Sequence, residues 1–232
     1  MTSPFDLSSE LCDFSGFAPL FPLPNVVLYP HVLQPLHIFE PRYRQMVADA
    51  LEDERLLALA LLQPGWETAT AADPALHPMV CLGRITAEER LESGHYHLIL
   101  QGLQRAVITE EVETDQPYRT ARLKLQRDLY VPGPEDGELL LRSELLAGFR
   151  RVFPQLAVDH ELQQIFETET PLGVLCDIIA YALRLPPEYA QELLAELRVA
   201  RRCQLLLERI QETAAHPGSK MSGGSPPKFS QN

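Results

Sequence analysis

The sequence predicts an α+β protein: a small, partly closed β-barrel with one short helix, followed by a C-terminal helical bundle. Three observations carry that expectation. Between residues 20 and 127, apolar residues come in short runs that alternate or are cut by proline, the pattern of short strands. The stretch DLYVPGPEDG (128–137) then shifts the composition towards Pro, Gly and acid, as a linker does. Beyond it, apolar residues recur at helical spacing as far as residue 213. The expected organisation is an N-terminal arm (1–19), a barrel (20–127), a linker (128–137), a bundle (138–213) and a disordered tail (214–232).

The barrel opens with LFPLPNVVLYPHVLQPLHIFEPRY (20–43), an apolar ribbon cut by Pro22, Pro24, Pro30, Pro35 and Pro41. Proline cannot donate to a ladder, so the ribbon predicts two short strands, 25–29 and 32–39, stopping at corners or edges. Pro41 suits a helix's first turn, and Tyr43, Met46, Val47, Ala50 and Leu51 follow at helical spacing. RLLALALLQ (55–63) and MVCLGRI (79–85) read as strands. Ser93-Gly94 signals a hairpin before the alternating HYHLILQ (95–101). Gly102 precedes LQRAVITEEVE and predicts a bulge, a close approach or a positive φ. YRTARLKLQ (118–126) alternates cleanly. Past the linker, helices are expected over 138–153 and 160–167, then from Leu172 through Leu175, Ile179 and Leu183. Pro186-Pro187 end that helix and start another carrying Tyr189, Leu193 and Leu197. The last runs over 199–213, with Leu206, Leu207 and Ile210 inward. The final segment, AAHPGSKMSGGSPPKFSQN, has too little apolar content to fold.

Composition narrows the function. The four cysteines are scattered without a CxxC pair, which argues against a zinc ribbon or disulfide framework and suits a reducing compartment. No apolar run reaches the roughly 18 residues of a membrane span, and the N-terminus lacks a signal-peptide pattern, so the expectation is a cytoplasmic protein. The formal charge of −12 disfavours nucleic acid, whose binding draws on Lys and Arg. Only three lysines occur, Lys124, Lys220 and Lys228, and none follows a glycine, so there is no P-loop. Neither GxSxG nor HExxH is present. His95 and His97 share a strand face, but the bland reading, polar residues on a solvated face, outweighs a metal site. His31 and His37 read as structural, and Glu88-Glu89 and Glu110-Glu111 as solvated charges. No catalytic residue, cofactor or metal is expected.

The ribbon carries a resemblance. Pro22-Leu23, Val26-Val27, Tyr29-Pro30, Pro35-Leu36 with Ile38, and Pro41-Arg42 resemble, in order, the opening of the Lon protease N-terminal, substrate-binding domain family. Gly83-Arg84-Ile85, and Leu100-Gln101-Gly102 with Arg105, resemble two later strands of that family. The C-terminal LPPEYAQELLAELRVARRCQLLLERI is similar to the helices that close it. The resemblance spans residues 20–210 and implies a PUA-like barrel followed by a helical bundle. Lon's ATPase and Ser–Lys protease modules have no counterpart here, so the resemblance implies a stand-alone, non-catalytic domain.

What it implies for function is capture of polypeptide: unfolded segments, degrons or a partner protein, alongside a separate ATP-dependent protease. The candidate peptide-binding residues are Pro35, Leu36, Phe39, Arg42 and Tyr43, on an apolar surface bounded by the ribbon and the hinge. For the apolar four the competing reading is core packing. Arg42 is harder to assign to structure, since a cation at a helix start opposes the helix dipole. The face around Tyr130 and Val131 is the second candidate surface, and a homodimer is compatible with either. Two other classes stay open: an RNA-binding PUA-like protein, disfavoured by the acidic body, and a hydrolase relying on His95 or His97.

Overall fold

The computed structural model describes residues 5, 7–68, 74–130, 137–154, 163, 165–166 and 169–215. Val131, most of the expected helix over 160–167, and the tail beyond residue 215 lie outside the described residues. Six strands form one mixed sheet: β1 (Phe17–Leu23), β2 (Leu33–Ile38), β3 (Leu56–Leu61), β4 (Met79–Arg90), β5 (Tyr96–Val112) and β6 (Thr120–Leu125). Helix α1 (Pro41–Glu52) interrupts them, and α2 (Gly137–Val152), α3 (Leu172–Ala182), α4 (Pro187–Ala195) and α5 (Val199–Ala215) follow. The class is α+β. Among the described residues no helix is long and apolar enough to cross a membrane.

The pairings return on themselves. β1 runs parallel to β3; β3, β4, β5 and β6 pair antiparallel in turn; β6 then pairs antiparallel with β1. β2 stands outside this circuit, paired to β5 alone and so at the sheet's edge. β3 is buried at every position, as expected of LLALAL between two neighbours. One core cluster is small-residue rich, with Ala58, Ala60, Ala106 and Ala121 beside Leu20, Val80, Leu82 and Leu123. The other is continuous from strands to helices: Phe21, Tyr29, Leu36, Met46, Leu59 and Leu100 join Phe149, Leu175, Cys203 and Leu206. The helices therefore pack on the sheet as part of one core.

One expectation needs correction, and one set of alternatives is decided. Residues 25–29 are not a strand; β1 begins earlier, at Phe17, and includes Pro19 and Pro22. The run NVVLY is apolar because it crosses the core as a buried loop, with Val27, Leu28 and Tyr29 all inside. It is fastened from outside any ladder of its own: Tyr29 Oη donates to the Ala190 carbonyl, and just beyond the run His31 N–H donates to the Gly102 carbonyl. Of the alternatives for Gly102, a close approach at a β4–β5 register shift holds and a positive φ does not; among the described residues the positive-φ glycines are Gly16, Gly65 and Gly94, the last in the β4–β5 turn. Gly102 is glycine because a Cβ there would lie 2.0 Å from the Tyr29 carbonyl oxygen. The close approach of that loop, not backbone conformation, sets the residue.

The helices are fastened by a buried charge cluster. Arg105 of β5 is 2% exposed and donates from both terminal nitrogens to Asp177 of α3, at 2.8 and 2.6 Å. Its Nε donates to the Leu194 carbonyl of α4. Arg202 of α5 donates to both oxygens of Asp128, at 3.0 and 2.5 Å, and its Nε stands 3.4 Å from Asp177. Burial opposes the Arg202 charge, but Asp177 and Asp128 outweigh it and hold the guanidinium protonated. Two cations and two anions thus balance where the sheet meets three helices. Gly173 completes the fit, since a Cβ there would sit 2.2 Å from Asp128 Oδ2.

Candidate functional site

A cleft of about 300 Å³ opens between the start of α1, β1 and the β5–β6 connection. Its walls are Pro22, Arg42 and Tyr43 on one side and residues between Glu111 and Thr120 on the other. Sequence dictates this placement. Pro41 sits in the first turn of α1, where its missing N–H costs nothing, and so starts the helix directly after β2. Tyr43, in the same first turn, buries its ring edge-on against Phe21 at 4.9 Å and is only 4% exposed. Arg42 lies over that ring, 4.5 Å from its centre, and donates to Glu40 at 3.0 Å. The Glu40 carboxylate and the ring offset the unfavourable placement of a cation at the helix start.

The opposite wall is held by its own contacts. Arg119 donates to both oxygens of Glu111, at 2.7 and 2.5 Å, and to the Pro74 carbonyl at 2.8 Å. Tyr118 donates to Asp49 of α1 at 2.7 Å, tying this wall to the helix; burial first, and then Asp49, push its phenol well above the ordinary range. Between the anchored walls the lining includes Pro22, Val112, Pro117 and the two tyrosine rings, with Arg42, Glu111 and Glu113 as exposed charges. The cleft is thus walled by rings and prolines on fixed backbone and rimmed by charges of both signs. Among the described residues no group of three or more His, Cys, Asp or Glu side chains is arranged to hold a metal ion.

The five sequence candidates are divided by the structure. Arg42 and Tyr43 meet in the cleft. Leu36 is 1% exposed and belongs to the core, and Pro35 lies half-buried on β2. Phe39 is half-buried away from the cleft, 5.9 Å from the His37 ring and 6.4 Å from that of His95. The edge of β2 is partly occupied already: Tyr181 donates to the Leu33 carbonyl, Gln34 Nε2 donates to the Pro35 carbonyl, and Pro35 offers no N–H. Sequence reading passed over Pro117, Tyr118 and Arg119. The signal that could have found them is the QPYR turn, which sets an aromatic and a cation beside a proline at a strand start.

Comparison with known proteins bears on this arrangement. The model of the ATP-dependent protease La (Lon) substrate-binding domain matches residues 18–212. The chain belongs to the Lon substrate-binding domain family. A Lon protease of Roseiflexus castenholzii is 30% identical over 203 residues, covering 86% of this chain and 24% of the relative. One from Anaeromyxobacter dehalogenans is 26% identical over 200 residues, covering 85% and 23%. The chain thus spans about a quarter of the length of these relatives. Two solved structures share the fold. A Lon N-terminal domain protein from Xanthomonas campestris aligns at TM-score 0.58 and 23% identity, covering 83% of this chain and 97% of that one. The N-terminal domain of a Mycobacterium avium complex Lon protease aligns at 0.62 and 16%, covering 84% and 98%.

The Lon-like motifs of the sequence now have physical roles. Pro22-Leu23 ends β1 at the cleft, and Pro41-Arg42 starts α1 beside it. Gly83 pairs with Gly102 where the β4–β5 register shifts. Arg105 is the β5 member of the buried charge cluster. Most of the family's signature here maintains the fold, and only its proline-bounded corners reach the cleft.

Proposed function

We propose that this chain is a non-catalytic polypeptide-recognition module, and that the cleft beside α1 takes up extended segments of unfolded proteins, degrons or a partner. The observation that carries the reading is the meeting of Arg42 and Tyr43 with Val112, Pro117 and Tyr118 around one open cleft in a substrate-binding-domain fold. The closed circuit of pairings and its alanine-rich cluster support the small PUA-like barrel that the resemblance implied, with the C-terminal helices as its bundle. A cytoplasmic setting and cooperation with a separate ATP-dependent protease fit the same reading.

Filling the cleft tests it. Thr114 is an exposed lining residue outside both core clusters, so Thr114→Trp adds bulk without disturbing packing. Anisotropy of labelled, reduced and carboxymethylated α-lactalbumin should show micromolar-range binding to the parent, about −8 kcal/mol or weaker. In Thr114→Trp it should weaken roughly tenfold, about 1.4 kcal/mol. Affinity equal to the parent's, in a variant with an unchanged unfolding midpoint, would move recognition elsewhere. Tyr43→Ala is a poor substitute, because Tyr43 is also core.

A further inference from the structure

Three imidazoles meet on the face of β2 and β5 turned away from the core. His37 lies directly across the strand pair from His97, with ring centres 4.9 Å apart. His95, in the turn immediately before β5, places its ring 5.4 Å from that of His37. The neighbouring residues of the same strands, Leu36, Ile38, Tyr96 and Leu98, point the other way and are buried. His37 Nε2 is shut from solvent and has no hydrogen-bond partner. The imidazoles pack here ring against ring, with Phe39 extending the stack.

We propose that His37, His95 and His97 form an acid-sensitive clasp that holds the edge strand β2 on β5 while the rings are neutral and loosens it when they take up protons. Imidazole is the side chain whose ordinary titration falls just below neutral pH. Like charges directly opposite on paired strands repel, and protonating His37 would charge a nitrogen that nothing solvates. The charged groups around the cluster decide where the repulsion falls. Glu89 of β4 pairs with His97 in register and stands 3.9 Å from its Nδ1, so it offsets a charge on His97. Arg44 of α1 reaches the Ser93 carbonyl in the turn before His95 and adds a cation on that side. His37 faces the rings of His95, His97 and Phe39, so the penalty concentrates on β2. Burial, then His97 and His95, lower the His37 pKa, in agreement with this geometry. A group whose folded pKa lies below its unfolded value binds fewer protons when folded, so its destabilising effect sets in as pH falls.

β2 is the strand on which this can show, because it has only one neighbour in the sheet, whereas β3 is held on both sides. The test is amide hydrogen exchange on the full chain at about pH 7.5 and about pH 5.5, either side of the ordinary imidazole pKa, each rate divided by its intrinsic value. In the parent, protection over 33–38 should fall about tenfold more than protection over 56–61, as local opening of an edge strand would produce. His37→Asn keeps a polar side chain of similar size and should remove most of that excess; His95→Asn, further from the core, should reduce it if the first variant folds poorly. Glu89→Gln should enlarge it. Protection of β2 and β3 falling in step in the parent, or a full excess surviving in both histidine variants, would overturn the clasp.

Discussion

Gly102→Ala is expected to destabilise the protein by about 3 kcal/mol or more, through one added methyl group. The new Cβ would lie 2.0 Å from the Tyr29 carbonyl oxygen and 2.8 Å from its carbon, and neither atom can rotate away as a side chain could. Moving the loop instead breaks its fastenings. Gly102 N–H donates to the Val32 carbonyl at 2.9 Å, His31 N–H to the Gly102 carbonyl at 2.8 Å, and the buried Tyr29 hydroxyl to the Ala190 carbonyl at 2.8 Å. Gly65→Ala supplies the contrast. Its φ is +90° with nothing within 4 Å of a Cβ, so it should cost only the left-handed backbone term, about 1–2 kcal/mol. Urea midpoints of the two variants should separate accordingly. Equal midpoints would mean that the Tyr29 loop yields freely.

Asp177→Ala should cost about 3–5 kcal/mol, as breaking a buried ion pair on one side does. The loss leaves Arg105 and Arg202, at 2% and 1% exposure, facing Asp128 alone. Arg105→Met joined to Asp177→Leu removes one charge of each sign and keeps the bulk apolar, so it should cost much less than Asp177→Ala. Parent-like stability of Asp177→Ala would show that solvent reaches the cluster. Because Arg105, Asp128, Asp177 and Arg202 come from β5, the linker, α3 and α5, their loss should also loosen the helices from the sheet before the strands separate.

That cluster marks the border of what the sequence discloses. Helical spacing and alternation placed most elements, because periodicity is local and each face must be buried. Proline content misled at one place: Pro19 and Pro22 lie within β1, whereas the proline-free NVVLY is a loop. Apolar content records burial and not ladder pairing, and a loop crossing the core satisfies it equally. The pairing of Arg105 with Asp177 spans 72 residues, a distance no spacing rule reaches. A warning was nevertheless present. Asp177 is the one charge in LGVLCDIIAYA, and a helix apolar on all sides must bury whatever charge it carries, which then requires a partner. The cleft was half legible: Arg42 stood out because a cation opposes a helix start, while Tyr118 and Pro117 became functional candidates only once β6 returned to β1 and brought them against α1.

Binding of polypeptide in the cleft beside α1, as proposed, should leave a footprint on the backbone. Amide hydrogen exchange of the full chain, alone and saturated with reduced and carboxymethylated α-lactalbumin, reads that footprint. The predicted result is slowed exchange confined to 41–44 and 111–120, with β2 and the surface around Tyr130 unchanged. Slowed exchange at β2 or around Tyr130, with 111–120 untouched, would contradict it.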